Sequence, residues 1–152
     1  MKSMCAEEFP LHTAIYNFDS KRLFELLEDN LNPNRGCPTP LWVAAKRGFY
    51  TACELLLEYG ADMDLTDDGL QNTPLHMAVL GNHVDVVALL CRSGAAIHVT
   101  NAHGAKPINL VNPEFGDEIA DILDLWGEEE LAEEALARQH QAVEATCLER
   151  CN

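Results

Sequence analysis

Basic side chains are scarce in this 152-residue chain, and their scarcity excludes one large class of partners. Lys and Arg number 10 against 25 Asp and Glu, which gives a formal net charge of −15. Such a chain repels the phosphate backbone of nucleic acids and the anionic surface of membranes. We therefore expect neither a nucleic acid nor a membrane as its partner.

Long apolar runs are also missing. The longest one, from Val86 to Cys91, has six residues, whereas a helix needs about 20 to cross a bilayer. Glu7 and Glu8 stand where a secretory signal would have its apolar core. With 9 Gly, 7 Pro and 47% hydrophobic residues, the composition also excludes the disordered and collagen-like classes. These absences predict a cytoplasmic protein, and a length of 152 residues suits a single domain. We also expect a monomer.

The chain contains an internal repeat. The segment TPLWVAA from Thr39 to Ala45 aligns with TPLHMAV from Thr73 to Val79, and weaker copies begin at Phe9 and Lys106. Their prolines, Pro10, Pro40, Pro74 and Pro107, are 30, 34 and 33 residues apart. Residues of the kind that accept a left-handed backbone at a helix end follow 20 positions later: Asn30, Gly60, Gly94 and Gly127. A period of this length indicates a repeat architecture.

Each repeat is predicted to contain two helices. Thr39 and Thr73 are good N-caps, and each precedes a proline at the first helical position. A short break such as Gly48-Phe49 then separates this helix from a second one that is rich in apolar residues. The segments between repeats, such as Ala61 to Asn72, carry turn residues and predict projecting hairpin loops.

The motif Thr73-Pro74-Leu75-His76-Met77-Ala78 at this period resembles that of the ankyrin-repeat family. The resemblance implies an all-α solenoid of helix-turn-helix units with projecting hairpin loops. The outer repeats depart from the motif because Phe9 and Lys106 replace the threonine, and Asn112-Pro113 ends one helix early. The implied organisation is a repeat domain over residues 1–127, with repeats at about 9–34, 39–64, 73–98 and 106–127, and an acidic capping helix over 128–152.

The sequence does not assemble a catalytic or cofactor site, so we expect no enzyme, no cofactor and no metal. The resemblance implies that His76 and His12 are structural hydrogen-bonding groups near helix starts. Cys53 and Cys91 fall on apolar helix stripes, and we interpret the six cysteines as reduced thiols. A metal- or redox-responsive protein remains a remote alternative, because three possible ligands lie along one helical face without a fourth: His140, Cys147 and Cys151.

Family members generally bind other proteins through a concave face built from the first helices and the loops. By this resemblance the first helices contribute Tyr16, Asn17, Lys46, Arg47, Leu80 and Glu114 to partner binding. The loops contribute Arg35, Thr66, Asp67, Asp68, Leu70, Asn101 and His103. Leu80 is either part of this face or a scattered surface residue. Lys46, Arg47 and Arg35 form either a local positive spot or ordinary solvated charges.

Trp42 occupies the position that the motif gives to histidine, and two interpretations are open. Its ring packs between repeats one and two, or it anchors a partner. We do not expect the indole to copy the hydrogen bonds of the histidine.

The leading hypothesis is a non-catalytic interaction protein that binds its partner through the concave face. Because the sequence shows no second functional domain, we expect a stand-alone inhibitor or a neutralising protein of the immunity type. An adaptor that tethers two proteins is the alternative. Residues 114–152 carry 12 acidic and 2 basic side chains, a net charge of −10. This end either steers a basic partner or only confers solubility.

Overall fold

The computed structural model describes residues 9–67, 69–114, 116–128 and 137, and over this part the chain is helical. The first helices of three successive units are α1 (Pro10–Tyr16), α3 (Pro40–Arg47) and α5 (Pro74–Leu80), and the second helices are α2 (Ser20–Glu28), α4 (Tyr50–Glu58) and α6 (Val84–Arg92). A 3-10 helix (Pro107–Leu110) and helix α7 (residues 117–128) follow. None of the described residues forms a strand, and the predicted all-α solenoid is confirmed.

The first helices begin at the predicted positions, and their N-caps explain why. Thr39 Oγ1 accepts a hydrogen bond of 3.3 Å from the backbone N–H of Trp42, and Thr73 Oγ1 accepts one of 3.4 Å from that of His76. A proline follows each threonine at the first helical position, where no N–H is needed. Phe9 has no hydroxyl group, so α1 begins without a side-chain cap.

Residues with a left-handed backbone follow the second helices of these three units, as predicted. They are Asn30 (φ 61°), Gly60 (φ 81°) and Gly94 (φ 90°). The same prediction for Gly127 is wrong, because α7 continues through this residue to position 128. Gly127 is buried in α7 and faces Ile97 and His98. Glycine permits a helix end but does not require one.

The core runs the length of the stack because each unit buries equivalent residues. The first helices pack side by side in the order α1, α3, α5, and the second helices pack in the order α2, α4, α6. A buried leucine stands 16 positions after each of the four prolines: Leu26, Leu56, Leu90 and Leu123. Burial of a leucine side chain contributes about 1.5–3 kcal/mol. The repeat period thus places buried leucines one after another along the stack, and we call them the apolar row.

Two cysteines lie in this core, as their positions on the helix stripes predicted. Cys53 in α4 and Cys91 in α6 are buried thiols. Burial raises the pKa of Cys53 to about 12 and that of Cys91 to about 11. Both therefore remain protonated near neutral pH and pack as small apolar side chains.

Candidate functional site

Three side chains at the same repeat position join each unit to the loop of the next one. His12 Nε2 lies 2.8 Å from the carbonyl oxygen of Pro38, Trp42 Nε1 lies 2.9 Å from that of Asn72, and His76 Nε2 lies 3.1 Å from that of Ala105. A carbonyl oxygen only accepts, so each ring N–H donates. Each acceptor directly precedes the N-cap position of the next first helix. We call this row of three hydrogen bonds the inter-repeat ladder.

The indole of Trp42 corrects one expectation from the sequence. Its N–H does copy the hydrogen bond of the motif histidine, since it donates to the carbonyl of Asn72. The bond joins the second unit to the loop before the third. Only 8% of the Trp42 surface is exposed. This burial supports the packing interpretation over that of a partner-binding anchor.

His76 shows why histidine suits this position. Its Nδ1 accepts from the backbone N–H of Thr73 at 3.2 Å and lies 2.8 Å from Thr73 Oγ1, while Nε2–H donates to Ala105. Burial lowers the pKa of His76, and the hydrogen bond to Ala105 partly offsets this effect. In the first unit Phe9 replaces the threonine, and Nδ1 of His12 has no hydrogen-bond partner among the described residues.

The surface is different where the first helices end. There a groove of about 460 Å³, which we call the helix-end groove, is lined by Tyr16, Phe18, Val43, Lys46, Arg47 and His83. Tyr16 is 55% exposed and Phe18 is 52% exposed. Phe18 is held by a ring contact with Phe49, with centroids 5.0 Å apart. Two large rings thus lie side by side at the surface.

Two cations complete the helix-end groove. The guanidinium of Arg47 lies 4.7 Å from the ring centroid of Phe18 and 5.2 Å from that of Tyr16, and its Nη2 donates to the Tyr16 carbonyl at 3.5 Å. Lys46 Nζ lies 5.2 Å from the ring centroid of Trp42. Both residues stand in the last turn of α3, where positive charge complements the helix dipole.

His83 lines the groove and lies against two glycines. Its Nε2 lies 3.1 Å from the carbonyl oxygen of Lys46. A Cβ atom at Gly48 or at Gly81 would collide with the imidazole ring. Gly48 additionally has a left-handed backbone with φ 66°, which favours glycine. The two glycines therefore allow the ring to lie against the ends of two first helices.

The structure divides the predicted partner-binding residues among several places. Tyr16, Lys46 and Arg47 meet in the helix-end groove. Leu80, at the equivalent end of α5, is 52% exposed. Arg35 instead lines a cleft with residues at the start of α1, and the seven residues of α1 span about 10 Å. Arg35 thus lines a different cleft from the groove that Lys46 and Arg47 share, and a positive spot formed by all three residues stays a prediction.

The predicted loop residues also differ among themselves. Asn101 is only 8% exposed, and its side chain donates to Asn72 Oδ1 at 2.9 Å and accepts from the N–H groups of His103 and Ala105 at 3.0 Å. Its predicted exposure at a loop tip is wrong, because it holds two loops together. Half-buried Asp67 accepts from the Asn72 N–H at 2.8 Å. The other predicted residues not yet located are also exposed: Asn17, Thr66, Leu70, His103 and Glu114. Asp68 lies outside the described residues.

Sequence reasoning missed Phe18 and His83 as lining residues of the groove. Both lie in the breaks between first and second helices, where solvent-exposed backbone is expected and side chains receive little attention. The available signal was the large aromatic ring in the short break Asn17-Phe18-Asp19, because such a ring needs a packing partner or a binding role.

A family model described as ankyrin repeats (3 copies) matches residues 8–101, more than half of the chain. The chain therefore belongs to the ankyrin-repeat family, as the motif predicted. Ankyrin repeats are protein-interaction modules, and the family is generally non-catalytic.

Individual relatives agree with this assignment. The chain is 32% identical over 117 residues to human Ankyrin repeat and SOCS box protein 11, covering 75% of this chain and 36% of that protein. It is also 32% identical over 117 residues to an ankyrin repeat protein of Fowlpox virus, covering 74% of this chain and 20% of the viral protein. Protein fem-1 homolog C of Xenopus laevis is 45% identical over 58 residues, which are 38% of this chain and 9% of that protein. The chain thus spans about a third or less of these relatives.

Two further findings concern the part of the chain that the structure describes. No helix in it has the length and apolar character needed to cross a membrane. Its His, Cys, Asp and Glu residues form no group of three or more that could hold a metal. His140, Cys147 and Cys151, the possible metal or redox residues, lie outside the described ranges.

Proposed function

We propose that this chain is a monomeric, non-catalytic protein that binds a partner protein through the ends of its first helices. The observation that supports this is the helix-end groove together with the nearby Leu80. Exposed Tyr16, Phe18 and Leu80 and the cation Arg47 lie there on packed helix ends. Aromatic residues and arginine are enriched in the energetically important parts of protein interfaces.

A binder without chemistry of its own acts by covering or positioning its partner. We propose the first of these, so that the chain inhibits or neutralises the protein it covers. An adaptor that tethers two proteins is the second candidate. The cleft at the start of α1, which includes Phe9 and Arg35 and has a volume of about 490 Å³, is a separate surface that could serve a second partner.

The test removes the four exposed side chains and compares the proteins retained from a native lysate. The test variant is Tyr16→Ala, Lys46→Ala, Arg47→Ala and Leu80→Ala. A matched control removes one exposed ring, one leucine and an adjacent Lys-Arg pair elsewhere: Phe24→Ala, Leu125→Ala, Lys21→Ala and Arg22→Ala. Quantitative mass spectrometry then identifies proteins that wild type and control retain and that the test variant loses.

We expect at least one protein to follow this pattern, and its direct binding to wild type to be at least tenfold tighter than to the test variant. The melting temperatures of both variants should stay close to that of wild type, since solvent-exposed side chains contribute little to stability. Identical retention by all three proteins would refute the proposed surface. Simultaneous retention of two independent partners would favour the adaptor role.

The acidic C-terminal end supports a second part of the proposal, that the partner is basic. In α7 the five carboxylates are all exposed: Asp117, Glu118, Asp121, Asp124 and Glu128. An extended field of one sign speeds the encounter with a partner of the opposite sign and is screened by salt. We expect the association rate to fall steeply between low and physiological ionic strength.

Stopped-flow association measures this dependence on salt. Substitution of glutamine at Glu128, Glu129, Glu130, Glu133 and Glu134 should flatten it while changing the dissociation rate little. A rate that does not depend on salt in the wild type would show that the acidic end only confers solubility.

A further inference from the structure

We infer that the helix-end groove receives an acidic segment of the partner, in which an Asp or Glu side chain stands beside an aliphatic or aromatic residue. This inference rests on the proposed function, because it requires the groove to be a protein-binding surface. It goes further by naming the chemistry that the groove recognises.

The first argument is the local charge. The lining of the groove includes Lys46, Arg47 and His83 but no Asp or Glu, although acidic residues outnumber basic ones 25 to 10 in the chain. Elsewhere Arg22 forms an ion pair with Glu25, with an N···O distance of 3.3 Å. Neither Lys46 nor Arg47 forms such a pair with any described carboxylate. The groove therefore presents positive charge that the described residues leave uncompensated.

The second argument is that Arg47 is already held in place. Its guanidinium lies over the rings of Tyr16 and Phe18, at 5.2 and 4.7 Å from their centroids. A guanidinium carries five N–H donors in a plane. Among the described residues, one of these donors is used, in the hydrogen bond to the Tyr16 carbonyl. The remaining donors suit a carboxylate, which arginine binds in a two-pronged geometry. Because the side chain is held beforehand, less conformational freedom is lost when the carboxylate binds.

Lys46 adds a second donor group at the same helix end. Its ammonium lies over the Trp42 ring at 5.2 Å from the centroid, and the contact with this buried ring positions it. The ammonium has three donors, and no hydrogen bond within the described residues engages them. Lys46 and Arg47 together match one carboxylate bound by both, or two carboxylates close together in the partner.

The third argument concerns what flanks the carboxylate. Tyr16, Phe18 and Val43 line the groove beside the cations, and two of them expose more than half of their surface. Rings next to a cation provide apolar contact for a residue adjacent to the carboxylate. An acidic segment without an apolar residue next to its carboxylate would leave these rings exposed to solvent.

This local preference is compatible with a partner whose net charge is positive. The acidic end acts on the partner through its long-range field, which depends on net charge. The groove acts only at contact distance, because exposed charges are screened beyond about 8 Å at physiological ionic strength. A basic protein with one exposed acidic segment satisfies both requirements.

The first experiment finds the sequence that the groove selects. A phage library of random 12-residue peptides is selected against the wild-type chain, and peptides that still bind the Lys46→Gln, Arg47→Gln variant are removed. We expect the remaining peptides to share an Asp or Glu next to an apolar residue. Enrichment of basic peptides, or of peptides without a shared carboxylate, would overturn the inference.

The second experiment measures the contact itself. A selected peptide, acetylated and amidated so that its termini are uncharged, is titrated by fluorescence anisotropy. We expect Lys46→Gln with Arg47→Gln to weaken binding at least tenfold. The matched control is Lys21→Gln with Arg22→Gln, which changes an adjacent Lys-Arg pair in α2 by the same charge, and it should change the affinity less than twofold.

A change in the peptide completes the test. Replacement of its Glu by Gln should weaken binding to wild type by a similar factor, but have little further effect on binding to the Lys46→Gln, Arg47→Gln variant. Equal losses in the test and control pairs, or no effect of the Glu to Gln change, would overturn the inference. Thermal unfolding of each variant verifies that it is folded.

The two proposals can fail separately. If the four-residue variant loses the cellular partner but the affinity does not depend on a carboxylate, the acidic-segment inference is wrong and the binding surface stands. If the four-residue variant retains the partner, the surface itself is wrong and the inference falls with it.

Discussion

The position of Trp42 makes its removal the most informative test of how the repeats are joined. The ring is almost fully buried, and its N–H donates to the carbonyl of Asn72 at 2.9 Å. Trp42→Phe keeps most of the apolar ring and removes the donor. Trp42→Ala removes both.

The expected magnitudes follow from these two losses. The Asn72 carbonyl also accepts from the backbone N–H of Asp67 at 3.3 Å, so Trp42→Phe removes one of its two donors. Loss of one such hydrogen bond costs about 0.5–1.5 kcal/mol, which is the decrease in the free energy of unfolding that we expect. Truncation of a buried aromatic ring costs about 3–5 kcal/mol, which is the loss expected for Trp42→Ala. Trp42→His restores an N–H of the kind that His76 uses, and should be less damaging than Trp42→Ala.

Urea denaturation followed by circular dichroism measures these differences, because far-ultraviolet signal reports helix without depending on the mutated indole. Leu80→Ala is the surface control, with an expected change within about 0.5 kcal/mol. The reasoning fails if Trp42→Ala leaves the free energy of unfolding within about 1 kcal/mol of wild type. That result, together with weakened partner binding, would make Trp42 an anchor for the partner.

Three further predictions concern the core, one histidine and one glycine. Leu56→Ala should lower the free energy of unfolding by about 2–5 kcal/mol in urea denaturation, and a smaller loss would mean that the apolar row is loosely packed. Because burial lowers the pKa of His76 below its ordinary 6.5, the unfolded chain binds a proton that the folded chain does not. The pH-dependent contribution of His76 to the free energy of unfolding is therefore complete above pH 6.5 and declines as the pH falls below it. The melting temperature of wild type should thus fall more between pH 7.5 and 5.5 than that of His76→Gln, which has no imidazole to protonate. Gly60→Ala should lower the free energy of unfolding by about 1–2 kcal/mol, the cost of a left-handed backbone, because no atom lies within 4 Å of the added Cβ. Gly48→Ala should lower it by more, because its Cβ would also collide with the ring of His83. Equal losses in urea denaturation would contradict the close approach of His83 to Gly48.

The sequence predicts the helices well because their starts have local causes. Thr39-Pro40 and Thr73-Pro74 contain both the cap and the first helical residue, and no distant residue is needed to read them. The break after α3 is equally local, since Gly48 has the left-handed backbone that ends the helix. The end predicted at Gly127 fails because a permissive residue allows either outcome, and packing decides it.

The surface is harder to predict because exposure depends on residues about 30 positions away. Asn101 looks like an ordinary turn residue, but its amide donates to Asn72 of the preceding loop. Trp42 departs from the histidine of the motif, and only the fold shows that its N–H reaches the carbonyl of Asn72. Tyr16, Lys46 and Arg47 lie in the last turns of their first helices. Their grouping with Phe18 and His83 could not be predicted, because it requires the stacked geometry.

The inter-repeat ladder has a direction, which makes the two ends of a repeat array unequal. In each of its three hydrogen bonds the earlier unit supplies a ring N–H and the later unit supplies a backbone carbonyl. Removal of the carboxy-terminal unit of an array therefore leaves an unused ring donor in the unit before it, whereas removal of the amino-terminal unit leaves a carbonyl that has lost one donor in the unit after it. A carbonyl in a loop is readily hydrated, while a donor that was buried, such as His76, needs a replacement. Loss of a unit during evolution should therefore be tolerated more easily at the amino-terminal end of a repeat array than at its carboxy-terminal end.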